Sequence, residues 1–493
     1  ASWAGFTVHS WVDTTYDGMG KKLKETVSGV DPQTQTSTVY QVTQYSYDAV
    51  GRLECTALRM NPAVYGSLPT SACTLGTQGT QGPDRITRNV YDAAGQLLKI
   101  QKAYATPLAQ DYVTYTYSPN GKQLTVLDAN GNQAELTWGG VDRQKQWRFP
   151  NALTGSINTA DYEEYGYDAN GNRTSLRKRD GRIITYSYDA LNRVTLKDHP
   201  TNANARDVYY SYDLRGLQTA ARFDSASGAD AVTSVWDGHG RQTSSTTSMS
   251  GVSRTLTYTN DAHGNRLSVT HPDGAQFNYN YDGLDRQASA TQQSAYYLFG
   301  SSFDARGLPT VDYRGNGALL YQYDGIGRLT QHQAIFANSA DNVTSQFSYN
   351  PASQITQRTR SNSAYGWTGA VNVNRPYVVN GLNQYASVAG TTFSYDPNGN
   401  LTGDGSKTYA YDIENRLISD SGGAALTWDP LGRLYQVTKG SSTTRFLYDG
   451  DALVAEYNTA GTVLRRYVHG AGDDTPMTWI EGAAYGYTNA RAL

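Results

Sequence analysis

The apolar positions of this 493-residue chain never settle into the spacing of an amphipathic helix over a window of twelve residues. They alternate with polar positions in short runs, broken every few residues by Gly, Asn, Asp or Pro. Pairs such as Tyr45/Tyr47, Tyr115/Tyr117, Tyr165/Tyr167 and Tyr279/Tyr281 place aromatic rings two residues apart. That is the period of a strand with one face buried.

A recurring turn separates the runs. It reads aromatic residue, Asp, two free positions, Gly or Asn, and often Arg. Its clearest copies are Tyr47-Asp48-Ala-Val-Gly51-Arg52, Tyr188-Asp189-Ala-Leu-Asn192-Arg193, Tyr323-Asp324-Gly-Ile-Gly327-Arg328 and Tyr411-Asp412-Ile-Glu-Asn415-Arg416. Trp takes the aromatic place at Trp236 and Trp428, and Phe at Phe303. Looser copies begin at Tyr16, Tyr91, Tyr117, Tyr167, Tyr212, Tyr258, Tyr281, Tyr349, Tyr395 and Tyr448, which makes about 17 units. The copies at 167, 188, 212, 236, 258, 281, 303 and 323 set a period near 22, inside the range of repeat architectures. In each unit Asp suits the first position of a type I turn, and Gly or Asn suits the left-handed residue that returns the chain as a hairpin. A second turn, as at Asn130-Gly131, Asp180-Gly181, Asp273-Gly274 and Gly315-Asn316-Gly317, completes two strands per unit. Roughly 34 strands at ~4.8 Å each would make ~160 Å of sheet, which strand twist forces to curl, close or spiral. The pattern predicts an all-β chain of tandem hairpins.

Composition narrows the function classes. Charged residues are 17% of the chain and balance to a net charge of −3, without the basic run expected of a nucleic-acid binder. No run of 18 apolar residues occurs, so no membrane span is expected. Tyr outnumbers Phe, 39 to 10. Two uses of these rings stay open: filling a sheet face, or lining a groove where they stack on sugars. The opening Ala-Ser-Trp-Ala-Gly-Phe lacks the features of an export signal, so any such signal is expected outside this chain.

Insertions interrupt the rhythm at about 53–86 and 357–390, and the repeat array is read as 1–450 with a distinct segment over 451–493. The first insertion carries the two cysteines, Cys55 and Cys73. Two unrelated thiols remain the alternative, but a pair in one loop with no other Cys favours a disulfide and an oxidising compartment.

Candidate chemistry is sparse. The histidines His9, His199, His239, His263, His271, His332 and His469 lack metal-ligand spacing, although His263 and His271 are close. No phosphate-binding Gly-rich loop or nucleophile elbow is present. Asp429-Pro430-Leu431-Gly432 reads as a repeat turn rather than a cleavage signature, and Asp473-Asp474 as a solvated loop. The expectation is a non-enzymatic protein with no catalytic residue, cofactor or metal.

The Tyr-Asp-x-x-Gly-Arg tandem resembles the YD repeats of the Rhs (rearrangement hot spot) family over almost the entire chain. The stretch from Leu453-Val-Ala-Glu-Tyr457 to Arg465-Arg-Tyr-Val-His-Gly470 is similar to the entry of the core segment that closes such arrays, and the cysteine insertion to one in exported bacterial members. The resemblance implies strands spiralling into a large hollow β-shell, as in bacterial insecticidal toxin complexes. It implies a structural role in a secreted or cell-surface protein, encapsulating or presenting a C-terminal toxin. An N-terminal plug would precede Trp3, and the rest of the core segment, with its autoprotease, and the toxin would follow Leu493. Those segments are the implied partners, with glycans or end-to-end self-association as alternatives. On this reading the chain is the ordered part of a longer protein, or it polymerises through open sheet edges.

Overall fold

Short alternating runs that stop at Gly, Asn and Asp can close only as successive hairpins, and they do so here. A computed structural model describes residues 7–315, 317–472, 475–482 and 490–492, the last three by backbone alone. Asn316, Asp473 and Asp474 lie outside the described residues. Among the described residues there are 42 strands and three single turns of 3-10 helix, Pro62–Val64, Ser339–Asp341 and Ser363–Tyr365. The all-β expectation holds. The first 28 strands, Ser10–Tyr16 through Ile355–Arg360, belong to one sheet, and nine later strands, Tyr409–Tyr411 through Ala490–Ala492, form another. Sequence neighbours pair in antiparallel fashion, as in Tyr188↔Val194 and Tyr212↔Gln218.

The 42 strands exceed the roughly 34 expected from two per unit, partly because some units lack the motif. Trp138 opens a turn with no leading Asp, closed by the Asp142 N–H donating to Gly139 O at 3.1 Å. Val379 opens another, closed by Asn383 N–H on Asn380 O at 3.0 Å. The structure also corrects the place of one copy. Tyr258 is a core residue, 5% exposed, and Asn260 holds the aromatic place before the Asp261–Gly264 turn.

The chain divides into two compact units. One comprises 1–160, 303–311 and 318–372; the other comprises 161–302, 312–317 and 373–493. In the first, the 53–86 insertion folds over the apolar cluster Cys55, Ala57, Ala72 and Ile86. Its centre is the buried pair Arg59–Asp84 at 2.6 Å. Arg59 also donates to Gln44 Oε1 and to the carbonyls of Thr74 and Ser71, so the buried charge is fully engaged. In the same unit the Asp324–Gly327 turn packs against the far end of an early hairpin. A Cβ on Gly29 would lie 2.2 Å from Gly325 O, and one on Gly325 would lie 2.7 Å from Gly29 C, so both positions require glycine.

In the second unit, a run of later strands buries its inner face on an earlier run. Leu256, Tyr258 and Val269 meet Leu447, Val454, Ala455, Tyr457 and Val463. Phe277, Leu298 and Phe299 meet Val468 and Ile480. Tyr435 enters a cluster with Val208, Phe223 and Met249. The sequence separation of the facing residues shortens along the chain, from 218 residues at Asp180–Asn398 to 163 at Arg314–Met477.

Candidate functional site

Repetition points to the turns as the working part of the chain, and each is assembled the same way. At the first clear copy, Asp48 N–H donates to Arg52 O and Gly51 N–H to Asp48 O, both at 2.9 Å. Asp48 Oδ1 accepts from the Val50 and Arg52 N–H groups. The left-handed residue is Gly51 at φ 87°, Asn192 at φ 60°, Gly327 at φ 85° and Asn415 at φ 64°. The arginine side chain then folds back. Arg52, Arg193, Arg328 and Arg416 bond Asp48, Asp189, Asp324 and Asp412 through Nε at 2.6–2.7 Å. These donors stabilise the ionised carboxylate. Arg193 holds Asp189 below its ordinary pKa, and the Arg241 backbone N–H leads in bringing Asp237 down to about 2.

Three of these arginines, and Arg306 from within the Asp304 turn, also reach the next unit. Arg52 Nη1 donates to Asp92 O at 2.8 Å, Arg193 to Asp213 O at 3.0 Å, Arg306 to Asp324 O at 2.8 Å and Arg328 to Asn350 O at 3.2 Å. Arg52, Arg193 and Arg328 stack on the next motif rings, Tyr91, Tyr212 and Tyr349, at 4.7–4.8 Å. The aromatic residue works in the opposite direction. Its polar tip donates to the carbonyl that opens the previous unit's return strand. Tyr47 reaches Lys22 O, Tyr91 reaches Leu53 O, Tyr188 reaches Arg173 O, Tyr212 reaches Val194 O and Tyr448 reaches Leu434 O, all at 2.8–3.0 Å. Trp138, Trp236 and Trp428 do the same through indole N–H, and Asn260 through its amide. Tyr therefore differs from Phe here because its hydroxyl donates, although Phe303 fills the same place in one copy. Sequence reasoning missed this role. Its signal was the excess of Tyr over Phe and the choice of Trp as the substitute.

Where Asn replaces the arginine, the contact changes. Asn172 donates to Asp168 Oδ2 and also to Asn192 Oδ1, at 2.9 and 2.7 Å. Asn265 joins Asp261 to Asp285, and Asn400 joins Asp396 to Asn415. Asn192, Asp285 and Asn415 are the left-handed residues of the following turns, the places otherwise held by Gly.

The motif residues do not converge on one centre. Tyr323 and Tyr411 lie at strand ends like the other motif rings, and Asp324 and Asp412 are buried within their own turns. Cys55 and Cys73 are bonded, with Cα atoms 5.3 Å apart. Beside the loop they anchor lies an open groove of about 810 Å³, lined by Tyr45, Tyr47, Tyr65, Lys21, Lys24 and Gln44 among others. Asp429 accepts from its own turn like every other copy. His263 stands 3.0 Å from Asp285, and with Asp261 these three could converge on a cation. Asn265 and local backbone N–H groups already occupy those carboxylates, which suits a turn.

A family model described as RHS Repeat matches residues 167–202 and 236–276, both within this interlocked array. These two stretches are matched as RHS repeats. Its repeats are 35% identical over 97 residues to "tRNA nuclease WapA" of Bacillus subtilis (strain 168), covering 18% of this chain and 4% of that protein. They are 29% identical over 226 residues to "Double-stranded DNA deaminase toxin A" of Burkholderia cenocepacia (strain H111), covering 37% of this chain and 15% of that protein. The chain thus spans a small part of both relatives. Among solved structures, the TcdB2-TccC3-Cdc42 crystal structure aligns with 95% of this chain and 27% of its own, at 14% identity and a TM-score of 0.43. The Photorhabdus luminescens Tc holotoxin pore aligns with 93% of this chain and 33% of its own, at 13% identity and a TM-score of 0.37.

Proposed function

We propose that this chain is the wall-forming part of a bacterial RHS-repeat protein that encloses or presents an effector segment carried elsewhere in the same protein. The observation that carries the reading is the double seam between successive turns, arginine forwards and tyrosine backwards. It invests most of the recurring chemistry in holding neighbouring hairpins together. The motif carboxylates are taken up by turn donors, which favours a structural role over a catalytic one. Both relatives named above are, by name, proteins that act on nucleic acid, which supports an effector cargo. The Cys55–Cys73 bridge supports an oxidising, extracellular destination. The test is protease protection of the complete natural protein that contains this chain. The effector should resist digestion until the wall is denatured. Digestion of the effector at the rate of the isolated domain would end the proposal.

The groove beside the stapled insertion favours a second reading, a carbohydrate-binding surface, because it combines three tyrosines with two lysines and an amide. A glycan array probed with the full chain tests it, and an array with no hits removes it.

A further inference from the structure

The facing strand runs of the second unit also bury two arginines. Arg254, on the strand Val252–Asn260, is 6% exposed; Arg466, on Val463–His469, is 0% exposed. Arg254 lies over the ring of Tyr457, 4.2 Å from its centroid, and among the described residues no carboxylate comes within 4 Å of it. Arg466 bonds Asp273 through Nη2 alone. Its Nε and Nη1 atoms, Arg254 Nη2 and the Tyr457 hydroxyl are buried without a partner among the described residues. Asp273 is also the most solvated member, its side chain 36% exposed. His271, within reach of the Arg466 charge, adds none of its own: burial, with Arg466 next, pushes its pKa down to about 3. The neighbouring Arg266–Asp449 pair cancels itself. Two buried guanidiniums therefore face one carboxylate.

A buried cation without a counter-charge is strongly disfavoured, and several unpaired donors around it compound the cost. The surplus is a single positive charge, so a multivalent ion would overshoot it. We propose that Arg254, Arg466 and the Tyr457 hydroxyl bind a small monovalent inorganic anion of the halide class. The ion completes the ion pairs and ties the later strand run to the earlier one. The donors supply only N–H and O–H groups, which is the chemistry a halide takes.

The experiment is thermal unfolding of the full chain in sodium chloride and in sodium gluconate at matched ionic strength, with Arg254→Met and Tyr457→Phe alongside. General salt effects act alike on all three proteins, so the difference between proteins is the readout. The wild-type Tm should rise with the logarithm of chloride concentration, as for a ligand bound only by the folded state. Arg254→Met should lose that dependence and match or exceed wild type in gluconate, where the unpaired charge is a burden. Tyr457→Phe, which keeps the ring beneath Arg254, should weaken it. Crystals soaked in bromide should show an anomalous peak beside both guanidiniums. Chloride dependence equal in wild type and Arg254→Met would overturn the proposal, as would water in place of bromide. If Arg254→Met does not fold, the bromide result on wild type decides.

Discussion

The seam from the Asp189 turn to the Asp213 turn and the seam from the Asp261 turn to the Asp285 turn perform one task with different parts. In the first, Arg193 spans the gap to a backbone carbonyl and stacks on Tyr212. The receiving turn then has Gly216 in its left-handed place, where an added Cβ would sit 4.0 Å from the guanidinium. In the second, Asn265 is too short to reach the backbone. The receiving turn supplies a carboxylate instead, from Asp285 at φ 56°. A left-handed Asp or Asn is less favourable than Gly, and the cross-turn bond offsets the difference. The two residues at these seams are matched, a long cation with a glycine or a short amide with a short acceptor, whereas Arg328 meets the left-handed Ser353 in its receiving turn.

The largest effect is expected where the left-handed place cannot be filled by any compensating bond. Gly327→Val forces a β-branched residue to φ 85°, with Leu308 Cδ1 3.4 Å from the new Cβ. It should cost about 2 kcal/mol or more, against less than ~1 kcal/mol for Ile326→Val. Equal melting temperatures would show the turn to be indifferent to its residue.

A double-mutant cycle sharpens the pairing rule. Asn265→Arg and Asp285→Gly should each destabilise when made alone, and together should recover much of the loss by rebuilding the seam of the first kind. The expected coupling is about 1 kcal/mol in urea unfolding, and simple additivity would dissolve the rule.

Tyr212→Phe removes only the hydroxyl that bonds Val194 O at 2.9 Å, and should cost about 1 kcal/mol because the carbonyl loses its partner. An unchanged urea midpoint would reduce the ring to packing.

Acid has the gentlest expected effect. Asp237 is depressed in the folded state from 3.8 to about 2, led by the Arg241 backbone N–H. A depressed carboxylate contributes stability above its unfolded pKa and loses it as pH falls through the folded value. Stability should therefore decline from about pH 4 to about pH 2, less steeply in Asp237→Asn, as followed by urea midpoints against pH.

The hairpins were legible because their requirements are local. A left-handed residue after a type I turn leaves Gly, Asn or Asp, and those residues stand at Gly51, Asn192 and Gly327. The seams were not legible, because Arg193 and the carbonyl it bonds are 20 residues apart, and nothing in one unit says what the next must offer. Asn260 shows the limit most clearly. It donates to Gln242 O as a motif ring would, yet carries no ring, so the eye passes to Tyr258. The two compact units were equally hidden, since each gathers separate stretches of chain without a change in composition.

The seams also set how the protein comes apart. A hairpin fastened on both sides cannot leave without breaking bonds that belong to its neighbours, so the energy of each repeat is shared along the row, as in a chain of coupled spins. Melting then begins at free ends or at a weak link and travels. One severed seam in the middle of a row would turn a single cooperative block into two, each with its own transition, although every hairpin on either side kept all its internal bonds.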